Sequence, residues 1–211
     1  MKFRAENIRT FNWENALEGM RNPLESWDKS DTAIEYKGRL EIPSLGQNDY
    51  KLLLGLTKGG KSHRKTLRQI RVSGSVYGCL KWMDELSTYV FLTTNSTSQM
   101  HLLGSRLLTE DDFDSIDSDI LEIVNRKISR YQTVKKEKVD KEELDCIWRD
   151  MINSIPQSFI YKRTFETNYE CILDIMLTRS RHKMYEWREL CEQLLNEMPY
   201  LRELVEVNKS R

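Results

Sequence analysis

The sequence predicts a single mixed domain of helices and short strands, with helices dominating its C-terminal half. A chain of 211 residues is the size of one domain and is long enough to bury a core. Its 31% charged and 39% hydrophobic residues are typical of a largely helical globular protein. Apolar residues recur at three- and four-residue intervals between Phe165 and Met198, which is the period of amphipathic helices.

We divide this domain into four parts by composition and periodicity. They are an N-terminal extension with strands (1–47), a sheet-and-helix core that carries the polar motifs (48–131), a charged linker (132–143) and the C-terminal helices (144–200). In the extension, residues 1–12 are an edge-strand candidate, and a short helix is predicted at 13–20. Alternating pieces on both sides of Gly38, at 32–36 and 39–42, predict a small hairpin.

The core begins with a helix from about residue 48, for which Asp49 is a plausible cap, and Gly59-Gly60 ends it. A strand follows at 70–76, interrupted at 73–75, and another strand is predicted at 89–94. The remaining predictions lie in the C-terminal half: a capped turn at 109–118, helices at 119–131 and 144–155, a charged linker or exposed helix start at 133–143, and helices at 164–179 and 184–198.

Charge balance narrows the classes of function. Lys plus Arg and Asp plus Glu each number 33, so no global field draws the chain to nucleic acid or to an anionic membrane. No apolar run approaches the ~20 residues that cross a bilayer, and the first residues lack a secretory signal. The four cysteines stand singly and predict buried thiols in a reducing compartment. We therefore expect a cytoplasmic protein without a metal site, whose phosphate binding would need a local cluster.

The densest basic run is KSHRKTLRQIR, at residues 61–71. Its cluster His63, Arg64, Lys65, Arg68 and Arg71 would suit one or two phosphate groups, and the alternative is a solvated edge. The preceding string GLTKGGKS formally matches a phosphate-binding loop. Its first glycine falls inside a predicted helix, so a ligand-facing basic loop or a surface turn is favoured over an NTPase.

Two further groups of polar residues are candidates for ligand contacts. The block at 93–101 contains Asn95 and Ser98, whose amide and hydroxyl groups can orient a sugar or a base, although such blocks are more often capped loops. Asn168 and Arg179 stand eleven residues apart on one predicted helix. At about 1.5 Å per residue they would lie roughly 16 Å apart, on one side of the helix.

In the order and spacing of these features the chain resembles the flavin-dependent thymidylate synthases (ThyX). In that family a Pro precedes a helix with an Asn and then an Arg, and a further helix carries a Glu. Pro156, Asn168, Arg179 and Glu186 stand at closely similar intervals. The resemblance covers about residues 45–200, and it implies an α+β fold with a small curved antiparallel sheet packed by helices. It also implies homotetramers with sites between subunits.

The chain departs from the family where cations are expected. Thr88, Tyr89 and Val90 occupy the positions of an Arg-His-Arg triplet that engages flavin and nucleotide, and Met100 replaces an Arg. Losing charged hydrogen bonds costs ~1.5–3 kcal/mol each. The resemblance implies a nucleotide contact for Arg179 and a flavin contact for Asn168. We add Ser98 and Asn95 as nucleotide contacts and His63 as a cofactor contact, and we expect Arg64, Lys65, Arg68 or Lys81 to substitute for the lost cations.

We therefore favour a nucleotide-binding protein that has lost catalysis and that binds or sequesters a nucleotide, a cyclic nucleotide or a nucleotide-derived signal, plausibly for a phage against host defence. The alternative is a flavin-dependent methyl- or hydroxymethyltransferase acting on a pyrimidine nucleotide (dUMP), with FAD as cofactor. A structural or protein-interaction module is the third hypothesis.

Overall fold

The computed structural model describes residues 2–38, 40–137 and 139–209. The strands are β1 Arg4–Phe11, β2 Ala33–Lys37, β3 Leu40–Ser44, β4 Arg71–Cys79, β5 Thr93–Ser96 and β6 Ile160–Asn168. The helices are α1 Trp13–Arg21, α2 Gln47–Lys58, α3 Lys65–Gln69, α4 Leu80–Leu86, α5 Gln99–Leu102, α6 Ser118–Glu137, α7 Lys141–Ile152, α8 Tyr169–Arg179, α9 Tyr185–Glu197 and α10 Leu201–Lys209.

The strands form two sheets, and the predicted α+β class is confirmed. Four strands are ordered β1-β4-β6-β5, so β1 is an edge strand as predicted. The second sheet is the antiparallel pair of β2 and β3, in which Ala33 faces Ser44 and Lys37 faces Leu40. This pair confirms the predicted hairpin. Gly38 has a φ of 64° in its turn, and Arg39 lies outside the described residues.

The chain divides into two compact units. The smaller unit comprises residues 1–3, 76–88 and 95–163, and the larger unit comprises 4–75, 89–94 and 164–211. Three strands, β4, β5 and β6, pass through the boundaries of these ranges.

The core of the larger unit is built around large aromatic side chains. Trp13, Tyr169 and Trp187 are fully buried there. The rings of Trp13 and Tyr169 pack edge to face with centroids 5.1 Å apart, a favoured arrangement for aromatic pairs. Their polar atoms are satisfied, because Trp13 Nε1 donates to Thr10 Oγ1 at 2.9 Å and Tyr169 Oη donates to the Pro199 carbonyl at 3.0 Å. The apolar residues that recur between 165 and 198 in the sequence thus include residues of this core.

The smaller unit has its own apolar core, mainly from α6, α7 and the turn before them. Its buried members are Leu103, Leu108, Phe113, Val124, Ile128 and Met151. The predicted capped turn is confirmed, since the Asp112 carboxylate accepts from the backbone N–H of Thr109 at 2.8 Å. α6 continues to Glu137, and Asp140 caps α7 by accepting from Glu142 N at 2.7 Å. Most of the segment read as a linker or exposed helix start is therefore helical.

The prediction of a helix over 164–179 was wrong in its first third. Residues up to Asn168 belong to β6, where Phe165 and Thr167 alternate inward, and α8 begins at Tyr169. The Asn168 side chain accepts from Cys171 N at 3.0 Å and caps α8. Where a strand runs directly into a helix, buried residues can stand four positions apart in both elements. The spacing of apolar residues therefore did not show where the strand ends and the helix begins.

Three smaller predictions in the larger unit also need correction. Residues 89–92 are not part of a strand, and the apolar side chains of Val90 and Phe91 are exposed to solvent. β4 is uninterrupted at Gly74, where a Cβ would meet Ile8 at 2.6 Å, so this glycine serves close packing. Asp49 does not cap α2; it is fully buried and ion-paired.

None of the helices in the described ranges has the length and apolarity that a membrane span requires.

Candidate functional site: a cleft in the larger unit

A cleft of about 690 Å³ lies in the larger unit, within the size range of pockets for small ligands. Its walls come from the end of α3 and the start of β4, from the loop of residues 90–93 and from the end of β6. The lining residues that matter for its chemistry are Arg68, Gln69, Arg71, Phe91, Glu166 and Asn168. With Asn12 included, the cleft thus combines two guanidinium groups, one carboxylate and three side-chain amides with an apolar wall.

The two arginines of the cleft differ in their surroundings. Arg71 forms an exposed ion pair with Glu166, which offsets its charge. Arg68 is half-buried, and its Nη1 donates to the Lys61 carbonyl at 3.0 Å. Within the part of the chain that the structure describes, no carboxylate forms a salt bridge with Arg68. Of the two arginines, Arg68 is therefore the one whose charge is not offset by a carboxylate within salt-bridge distance among the described residues.

Side-chain hydrogen bonds hold the edges of this cleft in place. The Oγ1 of buried Thr167 donates to the Phe91 carbonyl at 2.6 Å and ties the loop to β6. Asn168 uses its Oδ1 to cap α8 while its side chain lines the cleft. The first turn of α8 therefore begins beside the cleft, and the positive end of a helix dipole favours anions.

Arg179, predicted to bind the nucleotide, lies in an aromatic cluster at the end of α8. Its guanidinium carbon lies 5.0 Å from the Trp187 ring centroid and 5.9 Å from that of Tyr89. Its Nε donates to Tyr89 Oη at 3.1 Å, and that hydroxyl lies 3.2 Å from Thr178 Oγ1. Tyr89 directly precedes the loop that lines the cleft. A tyrosine thus contacts Arg179 from the position where the resemblance leads us to expect the histidine of the triplet.

Arg64 has a different environment from the one predicted for a nucleotide ligand. Its side chain is 5% exposed, and its Nη1 lies 3.5 Å from Glu170 Oε1. Its Nε donates to the Thr57 carbonyl at 2.9 Å, and it contacts the Asn208 amide oxygen. These contacts make Arg64 an internal tie between α2, α8 and α10, so we remove it from the candidate set.

His63 is exposed in the turn after α2, where its ring lies beside Gly59. The neighbouring Lys61 pairs with Asp174 at 3.0 Å. Gly55 belongs to α2, so the string from Gly55 to Ser62 forms no phosphate-binding loop. The basic run therefore divides into an internal arginine, exposed turn residues and three residues that line the cleft, Arg68, Gln69 and Arg71.

Three further candidates belong to the smaller unit. Asn95 is exposed in β5, Ser98 is half-buried just before α5, and Lys81 is exposed on α4. Near them, Arg163 donates to Ser96 Oγ at 2.7 Å and, through Nη1, to the Met83 carbonyl at 2.9 Å. Their assignment to a nucleotide remains a prediction.

Of the predicted residues, the cleft brings together Arg68, Arg71 and Asn168. It adds two residues that the sequence reasoning did not assign to the site, Glu166 and Phe91. Phe91 stands in the apolar run Val90-Phe91-Leu92, which reads as a buried strand. Nothing in the sequence around Glu166 indicates which face of β6 its side chain lies on, so this residue could not be assigned to the site.

The fold is that of the flavin-dependent thymidylate synthases, so the resemblance noted from the sequence is confirmed at the level of the fold. Thymidylate synthase X from Helicobacter pylori, solved with FAD and dUMP, superposes with a TM-score of 0.65 at 15% identity, covering 99% of this chain and 100% of that one. A second structure of that enzyme with both ligands gives 0.65 at 14% identity, with coverage of 100% and 99%.

The UMP/dUMP methylase PolB from Streptomyces cacaoi, bound with 5-Br dUMP, is also similar. Its TM-score is 0.59 at 12% identity, covering 99% of this chain and 95% of that one. No protein-family model matches the sequence, and no curated protein matches it. At these identities the comparisons define the fold.

Proposed function

We propose that this protein binds a phosphorylated nucleotide in the cleft and does not catalyse a flavin-dependent reaction. The observation that carries the proposal is that the half-buried Arg68 and Asn168 both line one cleft of about 690 Å³. Charged hydrogen bonds from arginine to phosphate are among the strongest polar contacts. Support for a nucleotide comes from proteins of the same fold, which have been solved with dUMP or 5-Br dUMP.

The charges of the cleft suit one phosphate group better than several. Arg68 and Arg71 supply two positive charges and Glu166 one negative charge, which leaves an excess of one. A nucleotide monophosphate together with FAD would bring three phosphate groups into the same region. Thr88 and Val90 stand where the resemblance implies arginines, and Tyr89, where it implies a histidine, contacts Arg179. The residues of this cleft therefore do not fit FAD beside a nucleotide.

Binding without turnover would make the protein a sequestering protein for a nucleotide, a cyclic nucleotide or a related signal in the cytoplasm. A phage-encoded protein of this kind would withdraw a host signal. By analogy with the fold we further propose a homotetramer, which light scattering coupled to size-exclusion chromatography would test.

The first experiment is mass spectrometry of whatever the purified protein releases on denaturation, together with an absorbance scan. The proposal expects a colourless protein that releases an intact nucleotide. Calorimetric titration with dUMP, UMP and a cyclic nucleotide should then give saturable binding, which Arg68→Ala weakens at least tenfold, or about 1.4 kcal/mol. Arg202→Ala, an exposed arginine of α10 in the same unit, is the matched control. Wild-type protein that binds none of these ligands would refute the proposal and favour an interaction module.

The second candidate is a flavin-dependent methyl- or hydroxymethyltransferase for a pyrimidine nucleotide. It is favoured by the nearly complete coverage of an enzyme structure that holds both FAD and dUMP. When bound, the flavin would supply the hydride chemistry. A yellow preparation with about one flavin per chain, and turnover of dUMP with a folate carbon donor, would establish this function instead.

A further inference from the structure

The loop that lines the cleft exposes two adjacent apolar side chains. Val90 is 89% exposed and Phe91 is 63% exposed. Single exposed apolar residues are common on protein surfaces. A large aromatic side chain exposed at a concave surface is more informative, because burying it on a ligand would be favourable.

Contacts on both sides of Phe91 keep the loop in this arrangement. On one side, the Phe91 carbonyl accepts from Thr167 Oγ1 at 2.6 Å, and Thr167 is 6% exposed. On the other side, the Tyr89 ring packs edge to face on buried Trp187, with centroids 5.9 Å apart, and its hydroxyl accepts from Arg179. The loop is thus held at residues 89 and 91, and Phe91 lines the cleft with 63% of its surface exposed.

We infer that Phe91 is a stacking platform for the planar heterocycle of the ligand whose phosphate binds at Arg68. This inference rests on the proposed function and deepens it, since it requires a ligand with a flat ring and an anionic group. Aromatic side chains stack on every nucleobase, because every base has a π-face. The cleft has room for both halves of such a ligand, at about 690 Å³.

Two probes separate the halves of the ligand: UMP, which has a base, and ribose 5-phosphate, which lacks one. Each is titrated calorimetrically into wild-type protein and the variants Phe91→Ala, Phe91→Leu and Phe91→Trp. We expect Phe91→Ala to weaken UMP binding roughly tenfold or more and to leave ribose 5-phosphate binding within twofold. Phe91→Leu should also weaken UMP binding, whereas Phe91→Trp should retain it.

Leu24→Ala is the matched control, because Leu24 is 83% exposed in the same unit and does not line the cleft. Equal losses for both probes, or no loss for either, would overturn the stacking role while the proposed function stands. A change in subunit number of Phe91→Ala by light scattering would mean that the ring covers a neighbouring chain, and would overturn the inference. If wild-type protein binds neither probe, the inference falls together with the proposed function.

Discussion

The Nε of Arg179 donates a hydrogen bond to the hydroxyl of Tyr89 at 3.1 Å, and the guanidinium also lies over the ring of Trp187. One side chain at the end of α8 therefore fixes the start of the loop that lines the cleft. Arginine suits this place because its planar group can stack on aromatic rings and donate hydrogen bonds at the same time.

We predict that Arg179→Ala weakens nucleotide binding at least tenfold, about 1.4 kcal/mol, while unfolding stays cooperative. The variant loses a cation predicted to contact the nucleotide, and it releases Tyr89 from its hydrogen bond. Arg179→Lys should recover only part of the affinity, because an ammonium group cannot reproduce the planar contact. Calorimetric titration with UMP, beside urea unfolding monitored by circular dichroism, measures both effects. Unchanged affinity in Arg179→Ala would remove Arg179 from the site.

A second prediction concerns Glu166, which pairs with Arg71 in the cleft. Glu166→Gln should tighten binding of a phosphate-bearing ligand severalfold, since it removes the one negative charge of the cleft and leaves Arg71 for the phosphate. The gain should shrink as salt is raised, because exposed charges are screened. The measurement is a titration with UMP at low and at physiological ionic strength.

Glu189→Gln is the control for Glu166→Gln, because Glu189 is an exposed glutamate of α9 in the same unit. It changes the net charge of the chain equally. A similar gain in both variants would mean that net charge, and not the Arg71 pair, governs affinity.

The sequence could predict helices such as α1, α2, α6, α7 and α9 because each of them follows a single period. α9 and its end before Pro199 are an example, since Trp187, Leu190 and Leu194 are all buried at helical spacing. The boundary between β6 and α8 could not be predicted, because Phe165 and Tyr169 are buried in both a strand and a helix pattern. The neighbouring strands and helices decide where, within such an apolar pattern, the strand ends and the helix begins.

The candidate site was predictable only in part for a related reason. The basic run singled out Arg68 and spacing singled out Asn168, but neither could tell that Arg64, four residues before Arg68, is buried. Its partners Glu170 and Asn208 are distant in sequence, so no local pattern reveals them. Phe91 was predicted to lie in a strand, and the hydrogen bond that holds its carbonyl comes from Thr167, 76 residues away, which no local pattern reveals.

The third prediction concerns acid stability. Arg21 Nε lies 2.7 Å from Asp49 Oδ1, and the two side chains are 4% and 0% exposed. Burial alone would raise the pKa of Asp49, but hydrogen bonds from Thr32, Ser30, Arg21 and the Asp31 N–H together lower it below 3.8. This carboxylate therefore contributes stability that is present above about pH 3.8 and is lost as the pH falls through its lower folded-state pKa.

Asp49→Asn should lower the free energy of unfolding at pH 7 by about 3–5 kcal/mol, because it leaves the buried Arg21 charge without its partner. Asp28→Asn, an exposed position nearby, should change it by less than about 0.5 kcal/mol. Urea titrations at pH 7 and pH 3 measure both effects. The penalty of Asp49→Asn should be smaller at pH 3, and a penalty that grows in acid would contradict this account.

The last prediction concerns Glu170, whose side chain is 8% exposed beside Arg64. Burial raises the pKa of Glu170 above its usual 4.5, and Arg64 offsets only part of this effect. For a carboxyl group with a raised folded-state pKa, the contribution to stability is complete below the unfolded-state pKa and is lost as the pH rises through the folded-state value.

Glu170→Gln is a permanently neutral analogue that removes this titration. The variant should therefore gain stability relative to wild type between about pH 4.5 and pH 7, measured by urea unfolding at half-unit steps. Glu189→Gln should show no such trend, and a relative loss for Glu170→Gln over the same range would mean that the ion pair with Arg64 outweighs the burial of its carboxylate.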